Sequence, residues 1–240
     1  MKARDFIKIV SGYTMDTKVD YWRQLGIINP ADHQKESIAI IGAGSIGSAT
    51  ALCLAKVGFK RITVWDSDKI EKHNLPNQLY PLDSVGQLKV EALADMVAYM
   101  TGTSITIMPF MFEEKYVWTE TIVIAATDSM ESRKMIWKTV KFKPNIKLYI
   151  DARMGGQLMR VFTVNPMSAN ECKRYEESLY TDEQSIDEPC SEKSIAYNIF
   201  GIASIITNQV KKRLKEEHLY NEIDFDYVTM MIETEDWNKD

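Results

Sequence analysis

The feature that most constrains the fold is a short apolar run followed at once by a glycine-rich turn and a helical pattern. Residues 37–41 read SIAII, residues 42–47 read GAGSIG, and apolar spacing then continues to Val57, just before Gly58. A short apolar run is typical of a buried strand, and a glycine after the last apolar residue is a common helix end. This stretch therefore predicts a strand, a tight turn and a helix in direct succession.

The same alternation of strand and helix patterns continues along the chain. Apolar residues fill successive positions of the predicted strands, which is typical of a parallel sheet covered on both faces. The sequence therefore predicts an α/β fold, a Rossmann-like doubly wound and mostly parallel sheet, with antiparallel additions near the C-terminal half. The further strands are predicted at 61–65, 104–108, 121–126, 147–150 and, antiparallel, at 157–164, and the helices at 85–100, 129–140 and 191–214.

The domain organisation is predicted as one main domain with an arm before it. Residues 1–34 are expected to form an N-terminal arm and residues 35–240 the main domain, in which the polar stretch 168–190 is interpreted as a loop or insert. Thr127 and Asp128 are expected to cap the helix that follows them. The last twenty residues carry no assignable pattern.

Composition narrows the functional classes. The formal net charge of −5 argues against a general binder of nucleic acid, whose affinity rests on clustered Lys and Arg. No apolar run reaches the roughly 18 residues that a membrane helix needs, and charges interrupt the first ten residues, where a signal peptide would be apolar. We therefore expect a cytoplasmic protein that does not associate with membranes.

The glycine turn carries the first functional signal. Gly42, Gly44 and Gly47 have the G-x-G-x-x-G spacing between a strand and a helix, where a tight turn, close phosphate approach and close helix packing are needed. Asp66 ends the next strand, where a carboxylate can accept hydrogen bonds from ribose hydroxyls. These residues predict a nucleotide site. An NAD-dependent oxidoreductase is one alternative, although the three histidines lie in loop-like or helix-end contexts without an evident acid or base partner.

Four further segments accompany the glycine turn: Asp66-Ser67-Asp68, Asn74-Leu75-Pro76-Asn77-Gln78, Gly86-Gln87-Leu88-Lys89-Val90 and Ala126-Thr127-Asp128-Ser129. With the glycine turn, they resemble the ThiF/MoeB/HesA family and the related ubiquitin-activating enzymes, over about residues 21–164. The resemblance implies an ATP-dependent adenylyltransferase, in which a carboxylate attacks the α-phosphorus of ATP to give an acyl-adenylate and pyrophosphate. Two anions must meet in that reaction, so cations are needed at the triphosphate.

The resemblance also implies roles for individual residues. Lys89 matches a lysine that reaches the phosphates, and Asp128 matches an aspartate that holds Mg²⁺, a hard cation that prefers oxygen ligands. Asp66 would bind the ribose, and Asn74 and Gln78 would orient phosphates or the metal. An ordinary surface ion pair or helix cap is the alternative at each position. The full set expected to contact ATP is Gly42, Gly44, Gly47, Asp66, Asp68, Asn74, Asn77, Gln78 and Lys89.

The segment Asp20-Tyr21-Trp22-Arg23-Gln24 is similar to a family motif whose arginine reaches the ATP of the neighbouring subunit. The resemblance implies a homodimer in which Arg23 acts across the interface. It also implies a partner, a small ubiquitin-like or sulfur-carrier protein whose C-terminal carboxylate is activated.

The sequence departs from the family at one phosphate-contacting position. Asn77 stands where the family has an arginine, and a neutral amide cannot replace a planar, bidentate cation. Either another cation takes its place, with Arg23, Arg133 and Arg153 as candidates, or the protein is slower. A non-catalytic, ATP-binding dimerisation subunit is therefore a second interpretation.

Cysteine usage is the other departure. The paired C-x-x-C motifs that hold zinc in MoeB and ThiF are missing, and Cys172 and Cys190 are too few for a four-ligand site, so no zinc is expected. Cys190 precedes the last long helix, whose N-terminus would favour a thiolate. We consider it either a nucleophile that accepts the acyl group or a cysteine packed under a loop.

Overall fold

The computed structural model describes residues 19–180 and 195–239, and within them eight strands form one sheet. The strands are β1 Ser37–Ile41, β2 Arg61–Trp65, β3 Thr106–Met108, β4 Ile122–Ala125, β5 Leu148–Gly155, β6 Leu158–Val164, β7 Glu222–Asp226 and β8 Met231–Glu235. The α-helices are α1 Ser45–Val57, α2 Lys89–Thr101, α3 Met130–Val140, α4 Ala169–Glu177 and α5 Ala196–Leu214.

The strand order confirms the predicted fold class. The order is β3-β2-β1-β4-β5-β6-β7-β8, with the first five strands parallel and β6, β7 and β8 joined by antiparallel pairing. The chain runs outward from β1 in one direction to β3 and then returns to β4 on the other side of β1. The carboxyl ends of β1 and β4 therefore flank a topological switch point, where open α/β sheets bind ligands.

Both faces of the sheet are covered, which explains the continuous apolar runs. Ile38 and Ile40 of β1 face a core formed with α1, α2 and α5, whereas Ala39 and Ile41 face a second core formed with α3 and α4. All five residues of β1 are buried. A strand enclosed on both sides leaves no position for an alternating polar side chain.

The structure corrects two helix boundaries. The helix predicted at 85–100 begins only at Lys89, because a 3-10 turn at Leu82–Ser84 and a bridge between Lys69 and Leu88 occupy the preceding residues. The stretch predicted as a loop or insert at 168–190 begins with α4, whose first turn is capped by Ser168, and its remainder from residue 181 lies outside the described residues.

The predicted cap of α3 is wrong. The hydroxyl of Ser129, rather than Thr127 or Asp128, accepts a hydrogen bond from the backbone N–H of Ser132 at 3.2 Å. Asp128 therefore remains outside the helix, on the loop that leaves β4.

The described part of the N-terminal arm packs against the main domain. Ile28 is buried in the core, and the side-chain amide of Gln24 donates to the carbonyl oxygen of Val57 at 2.6 Å, at the C-terminal end of α1. Two short 3-10 turns, Trp22–Gln24 and Pro30–His33, form this segment.

The C-terminal residues that sequence analysis left unassigned form a hairpin of β7 and β8. All residues of β8 are exposed, so no buried face imposes a recognisable periodicity on it. Among the described residues, no helix combines the length and the apolar character that crossing a bilayer would require.

Candidate functional site

A cleft of about 850 Å³ lies at the carboxyl ends of the parallel strands. Its size falls in the range of small-molecule and cofactor sites. Most residues that sequence analysis expected to contact ATP and metal line this one cleft, namely Gly42, Gly44, Asp66, Asp68, Asn74, Asn77, Gln78, Lys89 and Asp128. The fold thus brings together segments that are up to eighty-six residues apart in the chain, from Gly42 to Asp128.

The three glycines of the loop have different structural reasons. Gly42 has a φ of +101°, and an added Cβ would lie 2.5 Å from the carbonyl oxygen of Ala126. An added Cβ on Gly47 would lie 1.9 Å from the carbonyl oxygen of Gly42, so Gly47 lies beneath the cleft as a packing residue. At Gly44 the nearest atom, Nε2 of Gln78, is 3.9 Å away. Packing among the described residues does not explain the glycine at position 44.

Asp66 holds the loop in place from the end of β2. One of its carboxylate oxygens accepts the backbone N–H of Ala43 and the other that of Asp68, each at 2.8 Å. Burial raises the pKa of Asp66 above its ordinary value, although these two backbone bonds act in the opposite direction. Each carboxylate oxygen can accept a second hydrogen bond, so both remain able to receive a hydroxyl donor.

Lys89 is held by the turn that follows Asp66. Its ammonium group donates to Asp68 at 2.7 Å, and its backbone N–H donates to the Asp68 carbonyl oxygen at 2.9 Å. The Lys89 side chain is 10% exposed, whereas that of Asp68 is 64% exposed. Lys89 is therefore a buried cation whose only ion-pair partner in the described residues faces solvent.

Asp128 is an exposed carboxylate at the end of β4, and it makes no hydrogen bond or ion pair within the described part of the chain. Nowhere in residues 19–180 and 195–239 do three His, Cys, Asp or Glu side chains come together as metal ligands. This donor set fits Mg²⁺ bound with a nucleotide, because such Mg²⁺ takes one or two protein carboxylates and otherwise binds waters and phosphates.

Asn74, Asn77 and Gln78 lie on and just after a 3-10 turn, Lys72–Asn77, and line the same cleft as Asp128. Asn74 stabilises that turn itself, since its Oδ1 accepts the backbone N–H of Glu71 at 2.9 Å. The Oε1 atom of Gln78 and the hydroxyl of Thr127 are buried without a hydrogen-bond partner among the described residues. Buried polar atoms are normally satisfied, so these two fit a site that receives a polar ligand.

Two arginines share one buried carboxylate at the β5 end of the cleft. Asp151 is 0% exposed and accepts the Nε–H groups of Arg133 and Arg153, each at 2.8 Å, and the hydroxyl of Tyr175 at 3.0 Å. We call Arg133, Asp151 and Arg153 the arginine cluster. Burial lowers the pKa of Arg153, but the interactions with Asp151 and Tyr175 together raise it above its ordinary value.

Both arginines were predicted as candidate cations, whereas Asp151 and Tyr175 were not predicted. Asp151 ends a predicted strand just as Asp66 does, and this parallel was the available signal. The apolar wall of the cleft was not predicted either, and it contains the buried Trp65 and Phe112 and the exposed Phe110 and Met111. Trp65 ends β2, the other three follow the short strand β3, and none of them belongs to a motif.

One predicted residue, Arg23, lies elsewhere, and another, Cys190, is not among the described residues. Arg23 is exposed beside the C-terminal end of α1, and the thirteen residues of α1 separate that end from the cleft by about 20 Å. Arg23 therefore cannot reach the cleft of its own chain in this arrangement.

Comparison with known proteins connects this cleft to a family. The model of the ThiF family matches residues 21–237. Ubiquitin-like modifier-activating enzyme 5 of Aedes aegypti is 28% identical over 103 residues, 41% of this chain and 26% of the relative. The adenylyltransferase and sulfurtransferase MOCS3-1 of Zea mays is 34% identical over 109 residues, 42% of this chain and 23% of the relative. The chain spans about a quarter of the length of these curated relatives.

Solved structures share the fold. Escherichia coli MccB, in a crystal structure with AMPCPP and MccA, superimposes with a TM-score of 0.68 at 18% identity, covering 88% of this chain and 66% of MccB. PaaA superimposes with a TM-score of 0.72 at 17% identity, covering 100% of this chain and 84% of PaaA. Because the family model covers most of the chain and the fold agrees, the protein belongs to the ThiF family.

Proposed function

We propose that this protein is a Mg·ATP-dependent adenylyltransferase that activates the C-terminal carboxylate of a small ubiquitin-like or sulfur-carrier protein. The observation that carries the proposal is the convergence of the glycine loop, Asp66, Lys89 and Asp128 on one cleft. A carboxylate oxygen bonds to the α-phosphorus of ATP, the bond from that phosphorus to the bridging oxygen breaks, and pyrophosphate leaves with the electron pair.

The loop and Asp66 are proposed to bind the nucleotide. The backbone N–H groups at the start of α1 attract phosphate, and glycine at position 44 leaves room for its approach. Asp66, one strand away on β2, would accept the ribose hydroxyls. Gln78 and Thr127 supply buried polar atoms that a bound nucleotide could satisfy.

Lys89 and Asp128 are proposed to manage the charge of the triphosphate. Lys89 is already desolvated and held in place by Asp68, so its charge acts on an anion in the cleft with little reorganisation. Asp128 would hold Mg²⁺, which when bound neutralises negative charge on the phosphates. Asn74 would orient phosphates or waters beside the metal.

The partner is inferred from the relatives. Two of them are named for activating ubiquitin-like modifiers or for adenylyl and sulfur transfer, and the MccB structure contains MccA. Family membership favours this function over an NAD-dependent oxidoreductase. We also propose a homodimer, because Arg23 lies far from the cleft of its own chain and would act only on the cleft of a neighbouring chain. The cytoplasmic location is proposed from the sequence.

Exchange of labelled pyrophosphate into ATP tests the proposal. Candidate carrier proteins with free C-termini should support exchange by the wild type. The exchange rate of the Lys89→Ala and Asp128→Ala variants should be about 100-fold lower, the usual effect of removing one transition-state contact. Lys72→Ala and Asp83→Ala are matched controls, because both side chains are exposed and lie outside the cleft. Equal exchange in all five proteins would refute the site assignment.

Mixing inactive variants tests the homodimer. Arg23→Ala and Lys89→Ala chains should each be inactive alone, and their mixture should regain exchange, because a mixed dimer holds one cleft with both native residues. A mixture that stays inactive although mixed dimers are detected by mass spectrometry would contradict action of Arg23 across the interface.

Asn77 supports a second candidate, a non-catalytic ATP-binding subunit. The cleft has a neutral amide at this position, so less charge faces the phosphates than an arginine would provide. Calorimetry separates the candidates. ATP binding together with absent exchange, for every carrier tested, would favour the non-catalytic subunit.

A further inference from the structure

The arginine cluster has no part in the nucleotide site outlined above, although Arg133 and Arg153 both line the cleft. We propose that Arg153, held on Asp151 beside Arg133, binds the C-terminal carboxylate of the carrier protein. It would position that carboxylate for attack on the α-phosphorus of ATP. This inference rests on the proposed function, since it names the group that receives the second substrate.

The charge balance of the cluster favours an anion. Two guanidinium groups share one carboxylate that is 0% exposed, so the cluster carries a net charge of about +1. Asp151 contacts no solvent and is fully engaged by the two arginines and Tyr175. The remaining positive charge belongs to two side chains that line the cleft, and the Arg153 side chain is 14% exposed.

The contacts of Arg153 leave one donor for a ligand. Arg153 donates Nε–H to Asp151 and its terminal groups to the carbonyl oxygen and hydroxyl of Ser178, at 3.0 and 3.1 Å, and its Nη2 also lies 2.7 Å from Asp151. These contacts account for four of the five N–H groups of a guanidinium, and the remaining N–H, on Nη1, is the one we assign to a ligand. These anchors fix the orientation of the guanidinium before a ligand arrives, which favours binding.

The position of Arg153 separates it from the glycine loop, Asp66 and Lys89, whereas Asp128 follows the neighbouring strand β4. Asp66 and Lys89 belong to the β2 side of the cleft and the glycine loop to β1, whereas Arg153 is on β5, two strands beyond β1 in the sheet. Adjacent strands lie about 4.8 Å apart, so Arg153 is about 10 Å along the sheet from the loop. A ribose near Asp66 and phosphates at α1 therefore leave the β5 end for the second substrate.

The surroundings of Arg153 suit an extended chain terminus. Gly155, which has no side chain to obstruct entry, and Tyr180 also line this end of the cleft. The Tyr180 ring lies 6.0 Å from the guanidinium carbon of Arg153. A carboxylate bound to Arg153 would therefore lie beside Gly155 and Tyr180.

Triglycine and its C-terminal amide are probes that differ only in the carboxylate. The full chain, labelled with ¹⁵N-arginine and saturated with a non-hydrolysable ATP analogue, is titrated with each probe while the arginine Nε–H signals are followed by NMR. The Arg153 signal, assigned by its loss in Arg153→Lys, should shift with triglycine and not with the amide. An unchanged Arg153 signal, or an equal shift with both probes, would overturn the proposal.

Arg160→Gln is the matched control, because Arg160 pairs with Arg153 in the register of β5 and β6 but does not line the cleft. Arg153→Gln should weaken triglycine binding by about 10-fold to 100-fold, as for loss of a charge-assisted hydrogen bond. Arg160→Gln should change it less than about twofold, within the small effect of a surface charge. Equal loss in both variants would refute a specific role for Arg153.

Titration with ATP and with pyrophosphate in place of triglycine distinguishes a phosphate from a carboxylate as the anion. A shift of the Arg153 signal with either phosphate ligand, and none with triglycine, would place Arg153 in the nucleotide site and overturn the proposal. If the wild type does not bind ATP, the proposed function is refuted instead. The shift of the Arg153 signal with triglycine would still decide the role of Arg153.

Discussion

Substituting two glycines of the same loop should separate packing from ligand binding. In Gly47→Ala, the new Cβ would lie 1.9 Å from the carbonyl oxygen of Gly42, although Cβ atoms do not approach such atoms within 3.0 Å. The helix and the loop must therefore move apart by about 1.1 Å, the difference between these distances. The opposing atom belongs to the backbone, so no side chain can rotate away.

The cost of that movement can be estimated. Overpacking a dense interior costs roughly 1–3 kcal/mol, and a backbone obstacle favours the upper end. Replacing a helical glycine by alanine stabilises the helix by about 1 kcal/mol, because alanine has the higher helix propensity. We therefore expect Gly47→Ala to lower the free energy of unfolding by about 2 kcal/mol, equivalent to a fall in Tm of about 4–8 °C for a chain of this size.

Gly44→Ala is the matched comparison. Its added Cβ would lie 3.9 Å from the nearest atom, and its φ of −74° lies outside the left-handed region that favours glycine. We expect its unfolding free energy to stay within about 1 kcal/mol of the wild type. Its ATP affinity should fall by at least about 10-fold, because the Cβ would occupy the space through which a phosphate approaches the backbone.

Urea denaturation and calorimetric titration with ATP measure both quantities on the same preparations. Wild-type stability in Gly47→Ala would refute the close packing of α1 on the loop. Wild-type ATP affinity in a folded Gly44→Ala would show that no phosphate approaches the loop.

Three further predictions concern side chains. Asp151→Asn should destabilise the protein by about 3–5 kcal/mol in urea denaturation, because it leaves two buried guanidinium groups without a counter-charge, and a loss below about 1 kcal/mol would contradict this. Asp66 has a folded-state pKa above its ordinary 3.8, so the folded state binds the proton more tightly. The stability of the wild type relative to Asp66→Asn should therefore fall as the pH rises above 3.8, and a difference that is flat or rises in denaturation curves across pH would contradict this. Ser129→Ala should cost about 1 kcal/mol by thermal denaturation through loss of the cap on α3, whereas an unchanged Tm would contradict the cap.

The sequence predicted the parallel half of the fold well because its strands are enclosed. The strand β1, buried on both faces, is apolar at every position after Ser37, and the glycines around it mark the turn and the helix end. The hairpin of β7 and β8 was not predicted, since β8 is exposed and tertiary pairing with β7 determines its conformation. The cap on α3 was misassigned because Thr127, Asp128 and Ser129 are all good capping residues and only the backbone geometry selects one.

The candidate site was predictable wherever one segment contains a complete local pattern. The glycine loop and the segment around Lys89 are contiguous motifs, so their residues were found. The arginine cluster joins Arg133 on α3 to Asp151 and Arg153 on β5, and their pairing depends on how α3 packs over the sheet. Charge pairing across elements has no periodic signature in the sequence, which is why Asp151 was missed.

Hydrogen bonds between the residues that line the cleft determine which substitutions can report on its function. Asp66 holds the glycine loop through Ala43 and the following turn through Asp68, and Asp68 in turn holds Lys89. A change at Asp66 would therefore move the loop and the lysine together, and lost activity would not identify a lost ribose contact. Asp128 has no such connections within the described residues, so its carboxylate can be removed without releasing another element. For this reason, Asp128→Ala is the substitution whose effect on exchange reports most directly on chemistry rather than on structure.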